Sequence, residues 1–158
     1  MQPITQGDAM KKSLSRPTAT AALALLALGA GLAGMPARAV DAELQKAIAR
    51  GGEAFQHATF GASSGRVCNT CHLGGGMLPG RLPNGKAIPS LTNAAAIFPR
   101  VREQDHALIT LADQVRSCVG GAIQGQPPEY GSEELNALVS YVTSLSQGKS
   151  IDMGGQPK

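Results

Sequence analysis

Cys68-Asn69-Thr70-Cys71-His72 is a Cys-x-x-Cys-His run, the attachment signature of a c-type haem. Two cysteines one turn apart add across the two vinyl groups of the porphyrin, and the histidine that follows is carried under the iron as proximal ligand. The pattern predicts thioethers at Cys68 and Cys71 and iron ligation by His72. A zinc site needs four ligands, and beyond the motif the remaining candidates are Cys118, His57 and His106, none at paired spacing. A redox dithiol would open a helix inside a βαβ pattern, yet no alternating or β-branched run precedes Cys68.

The segment upstream reads as an export signal. Lys11, Lys12 and Arg16 form a basic start, Ala19 to Leu32 is an apolar run rich in Ala and Leu, and Ala37-Arg38-Ala39 supplies a cleavage site of the A-x-A kind before Val40. The apolar run is too short to span a bilayer comfortably, so cleavage, rather than a lasting membrane anchor, is expected. Residues 1–39 are therefore read as a signal peptide, with residues 1–9 an upstream start extension and Met10 the functional start. Residues 40–158 are left as a single domain in the periplasm. The formal charge of the whole chain is +3. Lys11, Lys12, Arg16 and Arg38 against Asp8 account for all of it. The remainder is close to neutral and offers no electrostatic case for a nucleic-acid partner.

Three helical segments stand out after the signal. The first spans roughly residues 41–57, with Leu44, Ile48, Gly52 and Phe55 at helical spacing. A glycine in mid-helix costs stability unless another helix approaches closely, so Gly52 predicts a crossing with the C-terminal helix. The second is expected over about 104–123, with Leu108, Leu111, Val115, Cys118 and Ala122 on one face and Gly120-Gly121 weakening its last turn. The third starts at the N-cap Ser132, continues with Glu133 and Glu134, and buries Leu135, Leu138, Val142 and Leu145. Gly148 follows in a C-cap position. Between His72 and Phe98 lies a loop rich in Gly and Pro, expected to lack secondary structure. Its Gly74-Gly75-Gly76 run would let backbone pass close to the edge of a haem. The reading is an all-α domain around one covalent haem c. Aromatic residues make up 3% of the chain, with no Trp, so the cofactor would supply missing core and the haem-free chain should fold poorly.

The opposite axial ligand decides the chemistry, because methionine raises the potential, thiolate pushes electron density onto the iron, and an open position admits a ligand. Cys118, Met77, Met153, His57 and His106 are the candidates. Met77 lies only five residues after His72, Met153 sits in a polar tail, and the two histidines lie at helix ends. Cys118 occupies the apolar face of a predicted helix and is the cysteine left without an intrachain partner. It is the best-placed ligand. A methionine ligand, a buried free thiol or an intermolecular disulfide are the alternatives.

The stretch from Leu111 to Gly148 resembles a known group. Cys118, Gly125, Ser132-Glu133-Glu134-Leu135, Ala137-Leu138-Val139, and Tyr141 before Leu145-Ser146-Gln147-Gly148 are similar to the cysteine-ligated haem domains of thiosulfate dehydrogenases and sulfur-oxidation (Sox) cytochromes. Phe98-Pro99 and Thr110-Leu111 are similar as well, as are Gly52 to Phe55 and the haem motif. The resemblance implies a class I cytochrome c fold and makes Cys118 the distal iron ligand. Two departures limit it. Members often carry an arginine four residues before the ligand cysteine, where this chain has Gln114. Thiosulfate dehydrogenases also carry a second haem domain, and no second Cys-x-x-Cys-His occurs here. The expected function is single-electron transfer by a low-potential His/Cys-ligated haem linked to sulfur-compound oxidation. The alternative is a haem subunit of a thiosulfate dehydrogenase-like enzyme in which Cys118 takes part in sulfur chemistry. Either implies a redox partner protein, with a second cytochrome subunit as one form of it, rather than a self-sufficient enzyme. No membrane span is expected after cleavage. Arg100, Arg102 and Arg116 are candidates for haem propionates or an anion, against the plainer reading of solvated charges.

Overall fold

Helix α1 (Ala37–His57) crosses helix α5 (Glu133–Ser144) so closely that glycine is required at the contact. The computed structural model describes residues 37–158, with side chains from residue 41. The export segment lies outside the described residues, except that the backbone of residues 37–39 opens α1. The crossing predicted at Gly52 is present but centred one residue earlier. A Cβ on Gly51 would lie 2.0 Å from the Ala137 carbonyl oxygen, whereas one on Gly52 would meet the Tyr141 ring at 3.1 Å. The Phe55 and Tyr141 rings pack beside the crossing with centroids 5.2 Å apart. Towards its start α1 is exposed, and Leu44 faces solvent.

The segment after His72 is more ordered than its composition suggests. Helix α2 (Cys68–Cys71) leads into a 3-10 turn at Gly74–Gly76, then strands β1 (Gly80–Arg81) and β2 (Ala87–Ile88) pair antiparallel, and helix α3 (Ala94–Ile97) follows. All three glycines of the turn have positive φ. They pack against the helices: Tyr141 donates its hydroxyl to the Gly75 carbonyl at 2.8 Å, and a Cβ on Gly76 would touch Leu145 at 3.0 Å.

The second predicted helix is shorter than expected. Strands β3 (Arg100–Val101) and β4 (Leu108–Ile109) form a second hairpin, with Arg100 opposite Ile109. Leu108, assigned to the buried helix face, is a strand residue 73% exposed. Helix α4 (Leu111–Cys118) starts only at the N-cap Thr110. The Thr110 hydroxyl accepts the Asp113 N–H at 3.2 Å, and the Asp113 carboxylate accepts the Thr110 N–H at 2.8 Å. This capping box ends one element and begins the next. The Tyr130 hydroxyl also donates to Asp113, and these bonds hold its carboxyl down at about 2. After Cys118 the helix widens into a π-turn at Val119–Ile123, closed by Gln124 at φ 65°.

Helix α5 begins where the sequence places it. Ser132 accepts the Leu135 N–H at 3.2 Å, and Glu133 and Glu134 occupy the first turn, where carboxylates complement the helix dipole. Leu135, Leu138 and Val142 are buried with Phe55, Ile97 and Val119. Gly148 has positive φ but lies beyond the helix, whose C-cap is Leu145. Ser132→Ala is expected to cost about 1 kcal/mol, read as a lowered urea midpoint at unchanged slope. No loss at all would show that the cap contributes nothing beyond a solvated turn.

Candidate functional site

The helices, the β1–β2 hairpin and the α4 π-turn line a cavity of about 590 Å³ that is open to solvent on one side and walled mostly by apolar side chains. Cys68, Cys71 and His72 line it from α2 and its C-cap, and Cys118 lines it from the last turn of α4. Leu138 and Val142 of α5 close it from the core. Met77, Met153, His57 and His106 are not among the lining residues. Met77 and Met153 are 60% and 67% exposed, and His106 sits in the β3–β4 turn at φ 58°.

Local bonds fix the motif. The Val67 N–H donates to the Thr70 hydroxyl at 3.1 Å and the His72 N–H to the Cys68 carbonyl at 3.0 Å, so the two cysteines and the histidine occupy a single turn. Phe55 packs beside His72 with ring centroids 6.3 Å apart. Gly80 presses on the same turn: a Cβ there would lie 1.7 Å from the Cys71 carbonyl oxygen. Strand β1 can pass the motif only as glycine. Nothing in the sequence pattern singled out that position, because the contact is set by the return of the β1–β2 hairpin.

The electrostatics follow burial. Burial pushes the Cys68 thiol up to about 12, with Cys118 adding to the effect, and burial raises the Cys118 thiol as well. The Gln114 side-chain amide donates to the Cys118 sulfur at 3.5 Å and opposes that rise. Burial lowers the His72 pKa, keeping the imidazole neutral. Neutral imidazole is the form that binds iron.

A haem fits this chemistry on three counts. The cavity is large, apolar and bounded by two cysteines and a histidine with attachment spacing. His72 Nδ1 and Arg100 Nε are buried without a hydrogen-bond partner, which is unusual in a folded protein and marks groups awaiting something the chain does not itself provide. Among the described residues no group of three or more His, Cys, Asp or Glu gathers as a metal site, which leaves the zinc reading without its ligand set. When bound, haem supplies an iron that changes oxidation state by one electron. Cys68, Cys71 and His72 are the residues that would hold it, with the apolar lining of the cavity packed against it.

The structure separates the three arginines named from the sequence. Arg100 lines the cavity. Arg102 also lines it but is paired with Asp105. Arg116 bonds the Pro128 carbonyl and stacks 4.2 Å over the Tyr130 ring, outside the lining. Two cationic lining residues were not singled out. Lys86 lies between β1 and β2, and Arg66 donates to the Ala122 carbonyl at 2.9 Å. The loop expected to pass the haem does reach the cavity, but not through its glycines: Gly74–Gly76 is absent from the lining, whereas Leu82, Lys86 and the run from Ile88 to Leu91 belong to it.

Comparison with known proteins agrees with this fold. The profile of the SoxA/TsdA cytochrome c domain matches residues 50–151. Thiosulfate dehydrogenase of Psychrobacter arcticus is 27% identical over 112 residues, covering 68% of this chain and 32% of the relative. Thiosulfate dehydrogenase of Stutzerimonas stutzeri is 27% identical over 114 residues, covering 72% and 35%. The chain thus spans about a third of the length of these relatives. Among solved structures, SoxXA from P. pantotrophus aligns with a TM-score of 0.56 at 21% identity, covering 72% of this chain and 38% of that one. Thiosulfate dehydrogenase TsdBA from Marichromatium purpuratum aligns with a TM-score of 0.52 at 24% identity, covering 70% and 24%. With a helical cytochrome c fold and a matching profile across most of its length, the chain belongs to the SoxA/TsdA cytochrome c domain family, and its cofactor is a covalent c-type haem.

Proposed function

We propose that this chain is an exported, periplasmic monohaem cytochrome that relays single electrons in sulfur-compound oxidation. Cys68 and Cys71 carry the thioethers, and His72 and Cys118 are the axial ligands. The observation that carries this reading is that Cys118 shares the haem cavity with the motif, whereas the other four candidate ligands lie outside its lining. A thiolate donates strongly to ferric iron and lowers the potential. The Gln114 amide supports the sulfur with a neutral hydrogen bond and adds no charge.

Low-temperature electron paramagnetic resonance of the ferric holoprotein tests the ligand set. A low-spin thiolate signature is expected, and Cys118→Ala should abolish it and raise the reduction potential. An unchanged spectrum in that variant would overturn thiolate ligation.

A second reading is favoured by the relatives, whose names specify thiosulfate dehydrogenases and which the chain matches over about a third of their length. In it the domain is the haem part of such an enzyme, with a cytochrome partner, and Cys118 takes part in the sulfur chemistry. Carbon monoxide separates the two. Inertness of the reduced protein supports the relay, and rapid binding supports a position that opens for chemistry.

A further inference from the structure

Four cationic side chains, Arg66, Lys86, Arg100 and Arg102, line the haem cavity, and no Asp or Glu does so among the described residues. Two of the four are already engaged: Arg66 by the Ala122 carbonyl and Arg102 by Asp105. Arg100 differs. It sits on β3 opposite the buried Ile109, its guanidinium lies 5.7 Å from the Phe98 ring centroid, and its Nε is buried with no acceptor. A buried guanidinium N–H without an acceptor is costly, because it has left water without a replacement bond. The planar fork of arginine matches a carboxylate or another oxyanion with two parallel hydrogen bonds.

We propose that Arg100 is the oxyanion-binding residue of this cavity, with a haem propionate as its ligand or, from a second source of the same chemistry, a small free oxyanion admitted beside the haem. The hairpin β3–β4 fixes the backbone of Arg100, and the Phe98 ring lies beside the guanidinium, which limits the space the side chain can sweep. Arg102, two residues on, lines the same cavity but is held by the Asp105 carboxylate. The assignment rests on haem occupying the cavity and not on which residue is the distal ligand.

The test uses holoprotein and the variants Arg100→Gln and Arg100→Lys, reading the reduction potential against pH from about 5 to about 8. If the ligand is a propionate, Arg100→Gln shifts the potential downward in anion-free buffer, because loss of a cation disfavours the reduced haem. It also introduces a pH dependence as the unpaired carboxylate binds protons more readily. If the ligand is a free oxyanion, the downward shift in anion-free buffer comes without any new pH dependence, and added thiosulfate gives a saturable spectral change in the parent protein that weakens at least about tenfold in Arg100→Gln. Identical profiles with and without thiosulfate overturn the proposal. Should Arg100→Gln fail to mature, Arg100→Lys is read in its place. Lysine cannot reproduce the two-point contact, so the same shifts in smaller measure are expected, and an unchanged profile overturns the assignment. A ferric low-spin signature retained in both variants separates this outcome from any failure of Cys118 ligation.

Discussion

Gly51→Ala is expected to remove much of the stability of the holoprotein. The added methyl would lie 2.0 Å from the Ala137 carbonyl oxygen and 2.7 Å from the Tyr141 Cβ. Both belong to positions fixed by α5, so rotamer changes do not relieve the overlap, and the helices must separate. Overpacking in a core commonly costs about 1–3 kcal/mol and more when backbone must move, against a total of about 5–15 kcal/mol for an ordinary domain. A loss above about 3 kcal/mol is expected for Gly51→Ala. Gly52→Ala should cost less, since its methyl meets the edge of the Tyr141 ring at 3.1 Å and a ring can tilt. Urea unfolding of the two variants under the same conditions checks this. Equal losses, or a milder one at Gly51, would show that α1 and α5 can slide apart freely.

That contrast also shows what the sequence could and could not convey. A glycine in a helical pattern announces a close approach, but Gly51 and Gly52 are adjacent, and periodicity alone selected Gly52 because it falls in line with Ile48 and Phe55. The actual contact depends on the crossing geometry, which no local pattern contains. Helix α5 was legible because its cap, its first-turn acids and its apolar spacing all agree. The start of α4 was misplaced because Leu108 and Leu111 have helical spacing, although Leu108 belongs to a strand. The overlooked signal was Thr110-Leu111-Ala112-Asp113, a capping-box pattern that marks a helix start within the predicted run. The haem motif was legible at once because five consecutive residues carry its chemistry. The rest of the cavity was not. Arg66, Leu82, Lys86 and the run from Ile88 to Leu91 reach it from separate elements, and two-residue strands such as β1 and β2 are too short to leave a periodic trace.

The largest effect is expected from the cofactor itself: a chain made without haem should lose its cooperative fold. Its cavity of about 590 Å³ lies beside Leu138 and Val142, the same residues that join α5 to the core. Left unfilled, those mostly apolar walls lose their packing partner, and leaving several large apolar side chains unburied at about 1.5–3 kcal/mol each is large against the ~5–15 kcal/mol of a whole domain. Solvent entering by the open side hydrates apolar walls poorly, so it does not replace the packing that a filled cavity provides. Collapse of the walls is the remaining response, and it would undo the packing of α4 and α5 on Phe55. The haem-free chain and a Cys68→Ser/Cys71→Ser variant should both keep part of their helical circular dichroism while losing a sharp melting transition. Cys118→Ala retains the attachment cysteines and should keep both the haem and a cooperative melt. That ordering separates filling the cavity from ligating the iron. A haem-free chain melting as sharply as the holoprotein would mean that the polypeptide closes the void unaided, and that the low aromatic content of its core is not a mark of dependence on the cofactor.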